Sequence, residues 1–191
     1  MMVVGGGVGG IQASLELSGL GYRVYLVESS PSIGGMMGML DKTFPTNECS
    51  MCILSPKMVE VASDLNIEVI TLADVLSMEG VPGDMRARLR IRPRYVDIEK
   101  CTGCGDCSAK CPVKMPDPYN AGLDTTRCIR VPYPQAVPGA AVIEGSACRW
   151  LVELHLNHCH KLRYQQKGHK WGQAPRCCQR QHLRYDSGMI S

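Results

Sequence analysis

Over its first thirty positions the chain passes from a short apolar run to glycines, then to helically spaced apolar residues and a second apolar run. Met2 to Val4 lead into Gly5-Gly6-Gly7-Val8-Gly9-Gly10. Ile11, Leu15, Leu17 and Leu20 then follow helical spacing, which predicts a helix over 11–20 with Gly21 placed to end it. Arg23 to Glu28 read as a second buried strand. Together these make a β–turn–α–β unit of the length expected at the start of a dinucleotide-binding fold. A loop rich in Gly, Ser and Met extends from Ser29 to about Asn47. Beyond it the pattern predicts a short helix over Pro56 to Ala62, with the proline in its first turn, and a strand over Asn66 to Thr71. Arg86 to Arg92 alternate strictly between basic and apolar residues, which predicts a half-exposed strand with a basic outer face, closed by Pro93. The proline-rich segment 94–145 reads as a small domain with little regular structure.

Composition sharpens this α/β reading. The 191 residues allow one or two small domains, and eleven cysteines exceed what packing alone requires. The opening residues run straight into the strand–turn pattern rather than a signal peptide, and no apolar stretch approaches the roughly 20 residues that cross a bilayer. The expectation is a cytoplasmic protein with metal-bound thiolates and no direct membrane insertion. Charge divides the chain. Residues 1–148 carry 13 Lys/Arg against 16 Asp/Glu, whereas 149–191 carry 8 against 2. Both tryptophans and all five histidines also fall in that last stretch. The expected organisation is a dinucleotide-binding half-domain over 1–92, a cluster domain over 93–145 and a basic tail over 146–191.

The cysteines supply the first chemistry. Cys101-x-x-Cys104-x-x-Cys107 is a turn that aims three thiolates at one point while backbone N–H groups face inorganic sulfide, and Gly103 and Gly105 permit that turn. Cys111-Pro112 completes the spacing of bacterial ferredoxins, so a 4Fe–4S cluster on Cys101, Cys104, Cys107 and Cys111 is expected. In two-cluster ferredoxins the fourth cysteine of each run serves the other cluster. Counting on from Cys148 at the same spacing gives Leu151, Leu154 and His158, so no second run follows. The fourth ligand is therefore Cys111, or else Cys128 or Cys148.

Gly5-x-Gly7-x-x-Gly10 lets the backbone approach a pyrophosphate at a helix N-terminus. Glu28 ends the second strand and suits a ribose hydroxyl, while its charge argues against a 2′-phosphate. Gly34-Gly35 fit a second contact loop and tip the ligand from NAD towards FAD. A further Cys-x-x-Cys, Cys49 and Cys52, reads as a redox dithiol, as two ligands of another cluster, or as buried inert thiols.

With these residues in hand, the stretches VVGGGVGGIQASLEL, LDKTFPTNECSMCILSPKMVEV, RPRYVDIEKCTGCGDCSAKCPV and PYPQAVPGAAVI resemble the A subunit of heterodisulfide reductase and its relatives among quinone-interacting oxidoreductases. The resemblance runs from Val3 to about Ile143. It implies a partial Rossmann-like, thioredoxin-reductase-like FAD-binding domain with a ferredoxin-type 4Fe–4S insertion. It further implies FAD at Gly5, Gly7, Gly10 and Glu28, and an oxidoreductase component working with the other subunits of an electron-transfer complex. A single-cluster carrier without catalytic flavin is the alternative.

Beyond Gly145 the resemblance fades. The tail's histidines and cysteines lack any standard zinc spacing, and its basic charge reads as a solvated run rather than a nucleic-acid surface. The simultaneous change in His, Trp, Arg and acidic content is what a shifted reading frame would produce, and an irregular tail is expected.

Overall fold

The computed structural model describes residues 1–81 and 83–148. The basic tail expected over 146–191 therefore lies, from residue 149 onward, outside the described residues.

Two compact units emerge. The first comprises Met1–Pro93 together with Pro132–Gly139. The second comprises Arg94–Val131 and resumes at Ala140. Residues 93–145, expected as one cluster domain, are not one continuous piece in this division, because 132–139 falls with the first unit. Ile33 donates its backbone N–H to the Val137 carbonyl at 2.9 Å. The buried Tyr133 hydroxyl donates to the Ile33 carbonyl and lies 3.4 Å from the Met58 sulfur. A buried hydroxyl needs such partners, and both of these lie in the first unit.

The first unit is built on a parallel sheet of β1 (Met2–Val4), β2 (Val24–Val27) and β3 (Ile67–Ile70), with β2 in the centre. Val24, Leu26 and Val27 are buried as a central parallel strand requires, while Tyr25 faces out. Helix α1 (Val8–Gly19) joins β1 to β2 and starts three residues earlier than its apolar spacing indicates. Valine and glycines at its start carry no periodic signal, which hides that turn from a sequence reading.

Helix α2 (Ser50–Ser63) departs further from expectation. It begins six residues before Pro56 and runs through it. Two forces account for this. The Cys49 sulfur accepts the Cys52 N–H at 3.2 Å and caps the helix, and Leu54, Met58 and Val61 form an i, i+4, i+7 face with no exposure at all. That burial outweighs the hydrogen bond that an interior proline forfeits.

Strands β4 (Ala73–Val81) and β5 (Asp84–Ile91) form an antiparallel hairpin. The alternation over Arg86–Arg92 identifies β5, but β4 escapes it because the register shifts between Val75 and Ser77 and breaks the period of two. Ala73 and Leu89, at the hairpin's base, pack against Val27.

Among its described residues the second unit has only short elements, in line with its proline-rich sequence. Helix α3 (Asp106–Lys110) follows the cysteine turn. Strands β6 (Lys114–Pro116) and β7 (Thr125–Arg127) pair antiparallel, as do β8 (Ile129–Arg130) and β9 (Val142–Ile143).

Truncating the α2 face tests this packing. Leu54→Ala should cost about 2–5 kcal/mol in urea unfolding, whereas Val59→Ala, on the exposed side of the same helix, should change stability by less than about 0.5 kcal/mol.

Candidate functional site

Gly5 leaves β1 in a left-handed conformation, φ +99°, and its N–H donates to the Val27 carbonyl at 2.8 Å. This turn brings the start of α1 back against the strand. A Cβ on Gly10 would lie 1.8 Å from the Gly5 carbonyl oxygen, so only glycine fits there. Beside Gly5, Gly7 and Gly9 an added Cβ meets nothing within 4 Å. The N-cap of α1 is Gly7, no side chain caps the helix, and no acidic residue occupies its first turn. The backbone N–H groups and dipole of a twelve-residue helix therefore open onto free space, as an anion such as pyrophosphate requires.

Glu28 sits at the end of β2, buried against this turn. One carboxylate oxygen accepts the Gly6 N–H at 2.6 Å and the other accepts the Ser30 N–H at 2.6 Å. The carboxylate is thus fixed in place, with lone pairs to spare for a ribose hydroxyl. The Gly34-Gly35 loop also abuts the turn. Gly34 donates to the Gly6 carbonyl at 2.7 Å, and a Cβ on Gly35 would lie 3.0 Å from the Gly7 Cα. Gly34 and Gly35 both have positive φ, and a Cβ on Gly34 would run into the Tyr133 hydroxyl at 2.4 Å. All six residues proposed from sequence for the dinucleotide are therefore gathered about one cradle. Sequence reasoning missed Gly6, which a methyl group would drive to 2.7 Å from Ile33, and Tyr133. Gly6 was visible in the glycine run but falls outside the x-spaced motif. Tyr133 carries no local signal.

In the second unit Gly103 and Gly105 adopt φ +67° and +79°, and α3 starts directly after Gly105 with Cys107 in its first turn. The Cys101 sulfur accepts the Ala141 N–H at 3.3 Å. Cys101 and Cys107 pack against a buried group formed by Cys111, Cys128, Cys148, Ile129, Ala141 and Ile143, while Cys104 is exposed. Among the described residues no three cysteine, histidine or carboxylate side chains stand in position to share one ion. Ligand sets close around the ion they bind, and a turn alone supplies no attraction between thiols.

Cys111 is 3.4 Å, sulfur to sulfur, from Cys128. Burial, reinforced by Cys111 and Cys148, pushes the Cys128 thiol far above its ordinary range. The sequence offered Cys128 only as an alternative fourth ligand, and nothing local marks its contact with Cys111. Arg94 was missed altogether. Its buried guanidinium donates to the Ala140 carbonyl at 3.1 Å. Burial pushes that group down from its ordinary value, while the Cys101 thiolate pulls it back up. Four thiols, left-handed glycines, an amide on a ligand sulfur and a buried cation together suit an anionic iron–sulfur cluster.

Two family models match the chain, one for FAD dependent oxidoreductases over residues 1–48 and one for the 4Fe-4S binding domain over residues 94–117. Among curated proteins, the A subunit of the H(2):CoB-CoM heterodisulfide,ferredoxin reductase of Methanothermobacter marburgensis is 50% identical over 147 residues, 77% of this chain and 22% of the relative. An Archaeoglobus profundus protein described as like the A subunit of heterodisulfide reductase is 51% identical over 150 residues, 78% of this chain and 21% of the relative. The iron-sulfur A subunit of the CoB--CoM heterodisulfide reductase of Methanocaldococcus jannaschii is 46% identical over 172 residues. That match takes in 87% of this chain, which carries it into the basic segment, and 25% of the relative. The chain thus spans about a fifth to a quarter of the length of these relatives. The cofactors that these matches support are FAD and a 4Fe–4S cluster. Among the described residues no helix is long and apolar enough to cross a membrane.

Gly10→Ala should lower FAD affinity at least about tenfold, which is about 1.4 kcal/mol, in a flavin-fluorescence titration. Gly19→Ala, where the added methyl meets open space, should leave that affinity unchanged. Arg94→Gln should lower the midpoint potential of the cluster in a spectroelectrochemical titration, because a positive charge beside Cys101 favours the more negative, reduced state.

Proposed function

We propose that this chain, which belongs to the A-subunit family of heterodisulfide reductases, is an electron-transfer segment that carries electrons between FAD and a 4Fe–4S cluster within a cytoplasmic multi-subunit oxidoreductase. When bound, the flavin exchanges electrons in pairs and the cluster exchanges them singly, so together they convert one kind of transfer into the other.

The chain's own residues do the holding. Gly5, Gly7 and Gly10 let the backbone approach the pyrophosphate, which the uncapped start of α1 attracts. Glu28, braced by the Gly6 and Ser30 N–H groups, accepts from a ribose hydroxyl. Gly34 and Gly35 give the ligand a second backbone wall. Cys101, Cys104, Cys107 and Cys111 supply thiolates, and binding draws them together. Arg94 offsets part of the charge that they bring. Cys128 and Cys148 stand beside Cys111 as its alternatives. The other subunits of the complex are the electron partners.

The observation that carries this reading is the glycine cradle opening onto an uncapped helix, in the same chain as a ferredoxin-spaced cysteine run. Anaerobically prepared or reconstituted protein should contain about four iron and four acid-labile sulfide atoms per chain, together with flavin. Iron and sulfide without flavin, even at saturating FAD, would favour the single-cluster carrier instead. Zinc in place of iron would refute both. Cys104→Ala should abolish the cluster while leaving FAD binding intact. Glu28→Ala should weaken FAD about 10- to 100-fold, the range set by losing a hydrogen bond to a charged group.

A further inference from the structure

Cys49 and Cys52 lie outside both cofactor sites as assigned. They form a disulfide, the one bridge among the described residues, with Cα atoms 5.2 Å apart. The six other described cysteines are free thiols, all in the second unit. Of the three readings open from sequence, buried inert thiols does not hold, since both residues are exposed.

The pair's place on α2 gives it directionality. Cys49 is the N-cap of a fourteen-residue helix, and Cys52 lies one turn in. The Cys52 N–H points at the Cys49 sulfur, 3.2 Å away, and no acidic residue occupies the helix's first turn. A thiolate on Cys49 would therefore gain an amide donor and the positive end of the helix, whereas Cys52, within the helix, has no equivalent arrangement. The charged neighbours are Asp41, whose carbonyl accepts the Ser50 N–H, Lys42, bridged to Cys49 through the backbone, and Glu48, whose carboxylate accepts from Thr46. Lys42 offsets one of the two acids, so the amide donor and the helix start are what favour a thiolate on Cys49. Ser50, between the two cysteines, is fully buried, and its hydroxyl is the one buried side-chain polar atom without a partner among the described residues. The motif thus holds a spare donor that the disulfide does not use.

We propose that Cys49 and Cys52 form a reversible two-electron dithiol–disulfide couple that exchanges with an external dithiol, with Cys49 as the exchanging sulfur. A donor thiolate attacks the Cys49 sulfur and the Cys49–Cys52 bond breaks. The bonding pair goes to Cys52, which takes up a proton. The donor's second thiol, on losing its proton, attacks the donor sulfur of the mixed disulfide and releases Cys49 as a thiolate. The donor leaves as its own disulfide, so two electrons pass from donor to protein, and the proton lost by the donor's second thiol balances the one taken up by Cys52. The reverse sequence oxidises the pair.

The test uses the full chain, prepared anaerobically and equilibrated over a series of reduced-to-oxidised dithiothreitol ratios. A parallel arm uses a Cys-x-x-Cys protein, thioredoxin, as the donor. After an acid quench, alkylation and trypsin digestion, the peptide spanning residues 43–57 carries Cys49 and Cys52 and no other cysteine. It should take up either no label or two. The ratio of labelled to unlabelled peptide should change tenfold for each tenfold change in the donor ratio, with iron content constant. A response to dithiothreitol alone identifies a small-molecule donor, and a response to thioredoxin at catalytic concentration identifies a protein donor. Either supports the proposal. Limiting iodoacetamide should label reduced Cys49 at least tenfold faster than Cys52, and Cys52→Ser should trap Cys49 as a mixed disulfide with glutathione. A bridge unmoved by excess of both donors would overturn the proposal, and so would equal labelling rates. Cysteines unmasked by an iron chelator rather than by a reductant would also overturn it, as ligands of a metal centre.

Discussion

Between the Gly5 carbonyl oxygen and the Cα of Gly10 there is no room for another carbon, and much of the first unit follows from that closeness. Because α1 seats directly on the end of β1, its first N–H groups reach the mouth of the sheet instead of being held off by side chains. The same closeness lets Gly6 reach the Glu28 carboxylate and Gly34 reach the Gly6 carbonyl, so three sequence-distant segments meet at one point. A bulkier residue at position 10 would tilt the helix and part those segments together. The hydrophobic contacts of α1 and α2 hold this arrangement shut, but they do not define where it lies.

The second unit obeys a different constraint. Among its described residues the helix has five residues and the strands two or three, so little of that backbone is paired and its buried cluster is small. Units of this size need help from outside hydrophobic burial. Thiols fill that core to an unusual degree, with Cys111, Cys128 and Cys148 all buried. If those thiols hold the proposed cluster, binding it would stabilise the core they fill.

How much of this was legible in the sequence depends on the range of the interaction. The glycine spacing, the acid at position 28 and the cysteine run are local patterns with local causes, and turns with left-handed glycines stand at Gly5 and at Gly103 and Gly105. The β5 strand was legible because its alternation is unbroken. Its partner β4 was not, because one register shift erased the period. The early start of α2 was hidden because Pro56 is the stronger local signal, while the burial of Leu54, Met58 and Val61 that overrides it belongs to tertiary packing. Arg94 and Tyr133 were invisible for the same reason, since each owes its role to a partner more than 40 residues away, Ala140 and Ile33. Cys128 was legible only as an alternative ligand, not as the neighbour of Cys111.

The return of residues 132–139 to the first unit bears on how this protein can be divided. The chain passes from one unit to the other after Pro93, after Val131 and again after Gly139. No single cut therefore yields two whole units. A piece ending at residue 93 lacks the tyrosine that fills the space beside Gly34, and a piece beginning at residue 94 drags that tyrosine along without its carbonyl acceptor. A mutation in the short stretch from Pro132 to Gly139 would likewise be read first at the flavin cradle, although in sequence the stretch lies inside the cluster domain. Lineages that lose or rebuild the iron–sulfur segment must either keep those eight residues or find another way to close the glycine loop.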